Sequence, residues 1–435
     1  MKISGSRAGS VALRSIAIAS ASALALGLAA CSTGTDSADP QSLTLLVEGG
    51  GKSQLSDIAA LYTEETGVAV EFVELPYTGL YDRIASDLNS GAPSFDLAAI
   101  DAVWLSDFHE GLVPLDDMYT DAVTADLFPA LVEEANVDGT FVGMPAWTNV
   151  EIVYYRTDLF GDETNKADFA AAYGYELAAP TTWEEYRDIA EFFTRDEDGD
   201  GTPELYGTTV VGATDAEWLA TVGQAGASAL VLDGDEVVIN DAAHVDALDY
   251  YVSLAEFAPP GAEQVGWAES YNLFDQGQVA MYRFWASSYR SIPDTSAVYG
   301  KVGVAPMIAG PGGVGAIPGA WYLAIPQGTA TSDAARDFIQ FAYDHNDLAV
   351  EKAAFGVGAR ISAFEKYQDE PGYEHLRPMV ETLNGPATMP RPANSNWQQI
   401  VDAVIIPTLQ ASFAPGTNYQ DLLDGAATEV QTIIE

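Results

Sequence analysis

Residues 195–207 read RDEDGDGTPELYG, with carboxylates alternating with other residues around glycine. Such a run can hold a hard cation. Counting from Asp196 as the first position, Asp198 is third, Asp200 fifth, Gly201 sixth, Thr202 seventh and Glu204 ninth. In an EF-hand loop the first, third and fifth positions offer carboxylates, the sixth is the glycine of a sharp turn, and the seventh gives a carbonyl. The twelfth position, where a bidentate Glu closes the shell, is Gly207 here. The segment YGTTVV after the loop reads as a strand rather than the second helix of a sensor pair. Glu204 or a distant carboxylate would therefore complete the shell. The expected cofactor is a structural Ca²⁺ on Asp196, Asp198, Asp200, Thr202 and Glu204, and oxygen-only donors argue against a zinc-type catalytic role.

Other metal and nucleophile chemistry finds little support. The four His (His109, His244, His345, His375) are scattered without HExxH spacing, and Cys31 is the single cysteine. EGGGKS at 48–53 lacks the first glycine of a phosphate loop, because Leu46 stands at that position. Tyr154 and Tyr155 are neighbours on a predicted strand, so they point to opposite faces and do not chelate one ferric ion. With 64 acidic against 18 basic residues the formal charge is −46, which repels phosphate backbones and anionic lipid surfaces. Nucleic acid is not an expected partner.

The first thirty residues read as an export signal: Lys2, Arg7 and Arg14, then an apolar run too short to span a ~30 Å hydrocarbon core. Leu28-Ala29-Ala30-Cys31 resembles the lipobox of bacterial lipoproteins, which implies lipidation of Cys31 as the mature N-terminus. A polar tether follows at 31–42, and its eleven residues after the cysteine reach roughly 18 Å as flexible coil. The expected location is extracytoplasmic, lipid-anchored to the outer face of the cell membrane.

Strand and helix signals then alternate. Leu43–Val47 is a buried strand, and Leu55, Ile58, Ala59 and Tyr62 form one face of a helix. Val68–Leu75 alternates as a strand, Tyr81–Leu88 reads as helix, and Phe95–Ile100 as a buried strand. The pattern is α/β with a largely parallel sheet. Ligands of such sheets sit outside strand carboxyl ends, which singles out 48–52, 101–104 and 147–149. A second block opens with EIVYYR. Thr182 and Glu185 have capping-box spacing, starting a helix that buries Trp183, Tyr186, Ile189, Ala190 and Phe193. Strands are expected at 279–284, 302–307 and 320–325, a helix from Ser332, and helices in the last sixty residues.

The order of these blocks resembles the extracellular solute-binding proteins of ABC importers, of the maltose and multiple-sugar type. SGAPSFDLAAIDAVWLSDFHEGLVPLDD, GMPAWTNVEIVYYRTDLF, PTTWEEYRDIAEFF, FDQGQVAMYRFW, GAWYLAIPQGTATSDAARDFIQFAY and MPRPANSNWQQIVDAV carry the likeness across nearly the whole mature chain. The resemblance implies a periplasmic-binding-protein-like fold, with two α/β lobes, a central cleft and several hinge crossings. Lobe 1 would comprise 43–148 plus 322–358, and lobe 2 149–321 plus 359–435. It also implies an ABC permease as partner and no enzymatic activity. Acidic loops like that at 196–204 occur in the family as structural calcium sites away from the sugar.

A sugar ring has an apolar C–H face and polar edges, so aromatic planes and amide, carboxylate or Arg groups recognise it together. The residues placed at the cleft are Asp101 and Trp104 after the buried strand, Trp147 and Asn149 at the first crossing, Trp285, Trp321, Trp397, Arg360, and less centrally Tyr77 and Lys52. Trp183 belongs to the core, whereas Trp218 and Trp267 are undecided. The alternative ligand is a non-sugar solute such as a polyamine or peptide. An exported glycosidase would need two carboxyls flanking the scissile bond, and no hydrolase pattern is visible.

Overall fold

The computed structural model describes residues 42–435 except Glu197 and Asp235. The signal segment, Cys31 and the tether up to 41 lie outside the described residues. Two sheets are built from β1 (Ser42–Glu48), β2 (Ala69–Leu75), β3 (Leu97–Asp101), β4 (Met144–Trp147), β5 (Glu151–Arg156), β6 (Met281–Trp285), β7 (Val302–Ala305) and β8 (Trp321–Ala324).

The first sheet has the order β2-β1-β3-β8-β4. β1 pairs in parallel with β2 and β3, while β8 runs antiparallel to both β3 and β4. The largely parallel expectation thus needs correction by one inserted strand. β8 enters from the other lobe at the cleft and must run away from it, against its neighbours. β3 is buried at every position, as its apolar run LAAI demands of a central strand, and it ends in the buried Asp101. β2, at the edge, alternates polar residues into solvent.

The second sheet, β6-β5-β7, is wholly antiparallel, a further departure from the parallel expectation. YGTTVV forms no regular ladder. Instead Tyr206 and Gly207 add to the β6 edge through Tyr206 N–Gln278 O at 3.0 Å, Ala280 N–Tyr206 O at 2.9 Å and Met281 N–Gly207 O at 3.1 Å. The helix Trp183–Phe193 buries the predicted face. Its cap differs: Thr182 accepts from Glu185 N, but the Glu185 carboxylate turns to Thr181 N at 2.7 Å. The helix Ser332–Asp344 packs Ala335, Phe338, Ile339, Ala342 and Tyr343 inward.

Two crossing segments, at 148–149 and 319, lie side by side between the sheets, with Gly358 packed against the first. Thr148 N donates to Gly358 O at 2.7 Å, and Asn149 and Gly319 exchange backbone bonds at 3.1 and 2.9 Å. Asn346 braces them, donating to Ala146 O at 2.6 Å and accepting from Ala359 N at 2.7 Å. The last crossing comes later than residue 358. The helix Ile361–Tyr367 still packs on Asp347–Lys352 and sets Phe364 against Phe128, and Leu376–Leu383 is the helix that reaches β5.

Candidate functional site

The carboxyl ends of β1 and β3–β4, the turn after β2 and the start of β8 converge on one cavity of about 640 Å³. Register places its residues side by side: Trp321 pairs with Asp101 on one side and with Trp147 on the other. From the second sheet, Trp285 ends β6 opposite Glu151. The crossing glycine Gly319 admits the Trp285 ring, since a Cβ there would lie 2.9 Å from it.

The walls are aromatic. Trp147 and Trp321 stack with centroids 5.6 Å apart and planes at 14°. Tyr77 meets Trp321 edge-on at 6.1 Å, and Trp267 meets Trp285 edge-on at 5.8 Å across the cavity wall. Such faces cover apolar ligand surface and leave the ligand's edges to polar groups. Trp397 is 1% exposed within the wall. The chain around it widens into a π turn at Val401–Ile405, a feature frequent at functional sites. Gln398, Val401, Asp402 and Ile406 join Trp397 along the cavity.

The polar centre is a pinned carboxylate. Asp101 accepts from Val103 N at 3.2 Å, Tyr77 Oη at 3.1 Å and Arg391 Nη2 at 3.1 Å. Arg391 also donates to Pro318 O at 3.3 Å, tying the tail of the chain to a crossing. Its Nε has no protein partner among the described residues. Asn149 lines the cavity but spends its amide internally, donating to Ser287 Oγ at 2.8 Å and accepting from Ser287 N at 3.2 Å.

Seven of the expected binding residues therefore line one cavity: Tyr77, Asp101, Trp147, Asn149, Trp285, Trp321 and Trp397. Three do not. Trp104 is 1% exposed and sits behind the wall, 4.5 Å from the Tyr77 ring and 5.8 Å from Trp321, so it buttresses the platforms. Lys52 points off the first turn of its helix to Glu74 at 3.3 Å. Arg360 binds Asp126 at 2.7 Å and lies over the Tyr343 ring at 4.5 Å, within the packing of lobe 1. Of the undecided tryptophans, Trp218 is core and Trp267 lines the cavity at 40% exposure. Sequence reasoning missed Arg391, although an arginine between two prolines in a chain with 18 basic residues was a usable signal. It also missed Asp215 and Asp402 on the wall, and reached Glu48 only as the start of the loop 48–52.

Behind the wall, Glu134 is 7% exposed and accepts from Tyr322 Oη at 2.8 Å. Burial pushes its carboxyl up to about 8, against the pull of Arg391 and the Tyr322 hydroxyl. Between the ordinary Glu value of 4.5 and about 8 the native state binds the extra proton, so stability falls as pH rises across that window and levels off above it. At ~1.4 kcal/mol per pKa unit the loss is several kcal/mol. Denaturant unfolding of Glu134→Gln should show a flatter pH profile and greater stability than wild type near pH 8; an unchanged slope would contradict this.

In the acidic loop, carboxylate oxygens of Asp196, Asp198 and Glu204 lie within 4.8 Å of one another. Asp196 is wrapped by backbone donors, Gly199 N at 2.6 Å and Gly201 N at 2.8 Å, with both glycines in the left-handed region at φ 75° and 93°. One expected ligand stands apart: Asp200 turns its carboxylate to Thr202 N at 2.8 Å and is not part of that cluster. The side chains of Tyr154 and Tyr155 diverge as their spacing requires. Tyr154 Oη bonds Trp285 O at 2.9 Å, while Tyr155 packs on Phe160 at 4.9 Å.

Two α/β lobes joined by crossing segments, with an aromatic cavity at the junction, define a periplasmic-binding-protein-like solute receptor. The chain belongs to the family of bacterial extracellular solute-binding proteins, whose description matches residues 48–346. Members of that family are transport binding proteins rather than enzymes. A probable ABC transporter-binding protein of Deinococcus radiodurans is 28% identical over 391 residues, covering 85% of this chain and 88% of its own. An ABC transporter solute-binding protein of Agrobacterium radiobacter K84, solved with ribitol, has a TM-score of 0.71 at 25% identity, over 91% of this chain and 99% of that one. Maltose-bound T. maritima MalE3 has a TM-score of 0.70 at 25% identity, over 90% and 99%. No helix among the described residues is long and apolar enough to cross a membrane.

Proposed function

We propose that the protein binds an extracellular carbohydrate, a sugar or polyol, in the cavity between its lobes and delivers it to an ABC import permease. The observation that carries this reading is the stacked Trp147–Trp321 pair set beside the Asp101–Arg391 centre at the lobe junction. Aromatic planes serve C–H faces, and Gln398, Asp402 and Ser287 on the same wall serve hydroxyls. The ribitol- and maltose-bound relatives support the same ligand class. Closure of the lobes about the crossings would signal the loaded state to the permease. No reaction is proposed, and Cys31 is proposed to anchor the chain through lipid outside the cytoplasm.

Titration with sugars and polyols should change the tryptophan fluorescence saturably without releasing reducing ends. Carboxylates of Glu48, Asp215 and Asp402 on the wall favour one second reading, a cationic solute such as a polyamine. A response to spermidine with none to carbohydrates would select it.

The acidic loop is proposed to hold Ca²⁺ as a staple of the second lobe, through Asp196, Asp198 and Glu204, an oxygen donor set that suits a hard cation. At tenfold excess over Kd, calcium would stabilise by about 1.4 kcal/mol. Chelation should therefore lower the unfolding temperature of wild type and leave Asp196→Ala/Asp198→Ala unmoved. Equal unfolding temperatures with and without calcium in wild type would remove the staple.

A further inference from the structure

Glu151 and Glu217 are 0% and 2% exposed, and their carboxyl groups are neighbours close enough to interact directly. Glu151 opens β5 directly after the first crossing, and Glu217 lies in the first turn of the helix Ala216–Gln224. Neither oxygen of Glu151 meets a protein donor among the described residues. Two carboxylates in contact at that depth do not both carry charge, so a proton is required between them.

Glu217 is already engaged from the cavity side. Its Oε1 accepts from the Trp267 indole Nε1 at 2.6 Å, and its Oε2 from the Thr214 hydroxyl at 2.8 Å. Both donors belong to residues that line the cavity. With two donors on its oxygens, Glu217 is the natural carboxylate of the pair and Glu151 the acid. One buried cation works against this division: Arg283, 4% exposed on β6, bonds Thr221 Oγ1 at 3.3 Å, lies over the Tyr251 ring at 5.0 Å and the Tyr186 ring at 5.7 Å, and draws the Glu151 carboxyl down, an effect that burial outweighs. Asp215 adds negative charge from the helix start. Burial, then the neighbouring Glu217 charge, pushes the Glu151 carboxyl far above the usual range; burial raises Glu217 as well.

We propose that Glu217 is a positioning residue that clamps Trp267 and Thr214 onto the ligand cavity, and that protonated Glu151 is the donor holding Glu217 in place. Ligand affinity then depends on a proton that no ligand atom touches. The link to affinity rests on the binding function proposed above, whereas the clamp itself does not. Loss of the shared proton would set a second negative charge beside Glu217 and Asp215 and loosen the grip on Trp267.

The test uses the ligand-free protein first. Infrared difference spectra of wild type against Glu151→Gln at neutral pH should show the C=O stretch of a protonated carboxylic acid in wild type alone. The indole N–H resonance of Trp267, assigned through Trp267→Phe in ¹⁵N-tryptophan-labelled protein, should hold its position in Glu151→Gln, whose amide still donates. It should shift in Glu151→Ala and Glu217→Ala. With ribitol and maltose as probes, Glu217→Ala should weaken whichever binds wild type by about tenfold, the factor that ~1.4 kcal/mol represents. Absence of the carboxylic acid band from wild type, or a Trp267 resonance unmoved in Glu151→Ala, overturns the clamp. Should Glu217→Ala fail to fold, the isosteric Glu151→Gln comparison still decides. Failure of both probes on wild type would count against the carbohydrate reading, while the spectra judge the clamp separately.

Discussion

Replacing Trp321 with Ala should weaken ligand binding by about 30-fold, roughly 2 kcal/mol, the size of an interface hot spot. The ring occupies the middle of the cavity's aromatic wall. It stacks on Trp147 and takes the edges of Tyr77 and Trp104 at 6.1 and 5.8 Å. Truncation removes one platform directly and frees the neighbours that hold the second. An aromatic pair contributes about 0.5–1.5 kcal/mol beyond the area it buries. Trp321→Phe, which keeps a plane, should recover part of the loss. Calorimetric titration of both variants reads the effect, and wild-type affinity in Trp321→Ala would show that the ligand sits elsewhere.

Arg391→Met should lower the free energy of unfolding by about 3 kcal/mol or more, the cost of stranding one partner of a buried ion pair. Asp101 is 7% exposed and shares Arg391 with the field of the buried Glu134. Adding Asp101→Asn to Arg391→Met should restore part of the stability, because the double variant no longer strands a charge. The coupling energy of that cycle, from denaturant unfolding, is the relevant number. Additive losses would mean that the pair is solvated like a surface bridge, worth 1 kcal/mol or less.

These two cases also mark what was legible in the chain. Strand–helix alternation announced β1, β2 and β3 in order, because period and burial are local properties. Four cleft tryptophans, Trp147, Trp285, Trp321 and Trp397, were placed through family blocks. Their convergence needed the sheet register that sets Trp321 between Asp101 and Trp147. Arg391 escaped because its partner lies 290 residues away, and no local pattern marks a bridge of that span. The Glu151–Glu217 contact was hidden for the same reason, among 64 acids of which most are exposed. Lys52 was misplaced by proximity in sequence. Its neighbours Gly50 and Gly51 line the cavity, but the first helical turn directs its own side chain outward to Glu74. The antiparallel β8 could not be read from its residues, since WYLA suits either direction and only the crossing from the second lobe decides it.

The most direct test of the central claim is a thermal-shift screen of the chain from Ser42, with calcium present, against mono-, di- and oligosaccharides and polyols. A ligand that binds only the folded state stabilises it by about 2.7 kcal/mol at a hundredfold excess over Kd. The structure predicts a raised unfolding temperature with one carbohydrate class, lost in Trp321→Ala. A well-folded protein unmoved by the whole panel, yet stabilised by a polyamine or peptide, would contradict the assignment of a carbohydrate to the Trp147–Trp321 cavity.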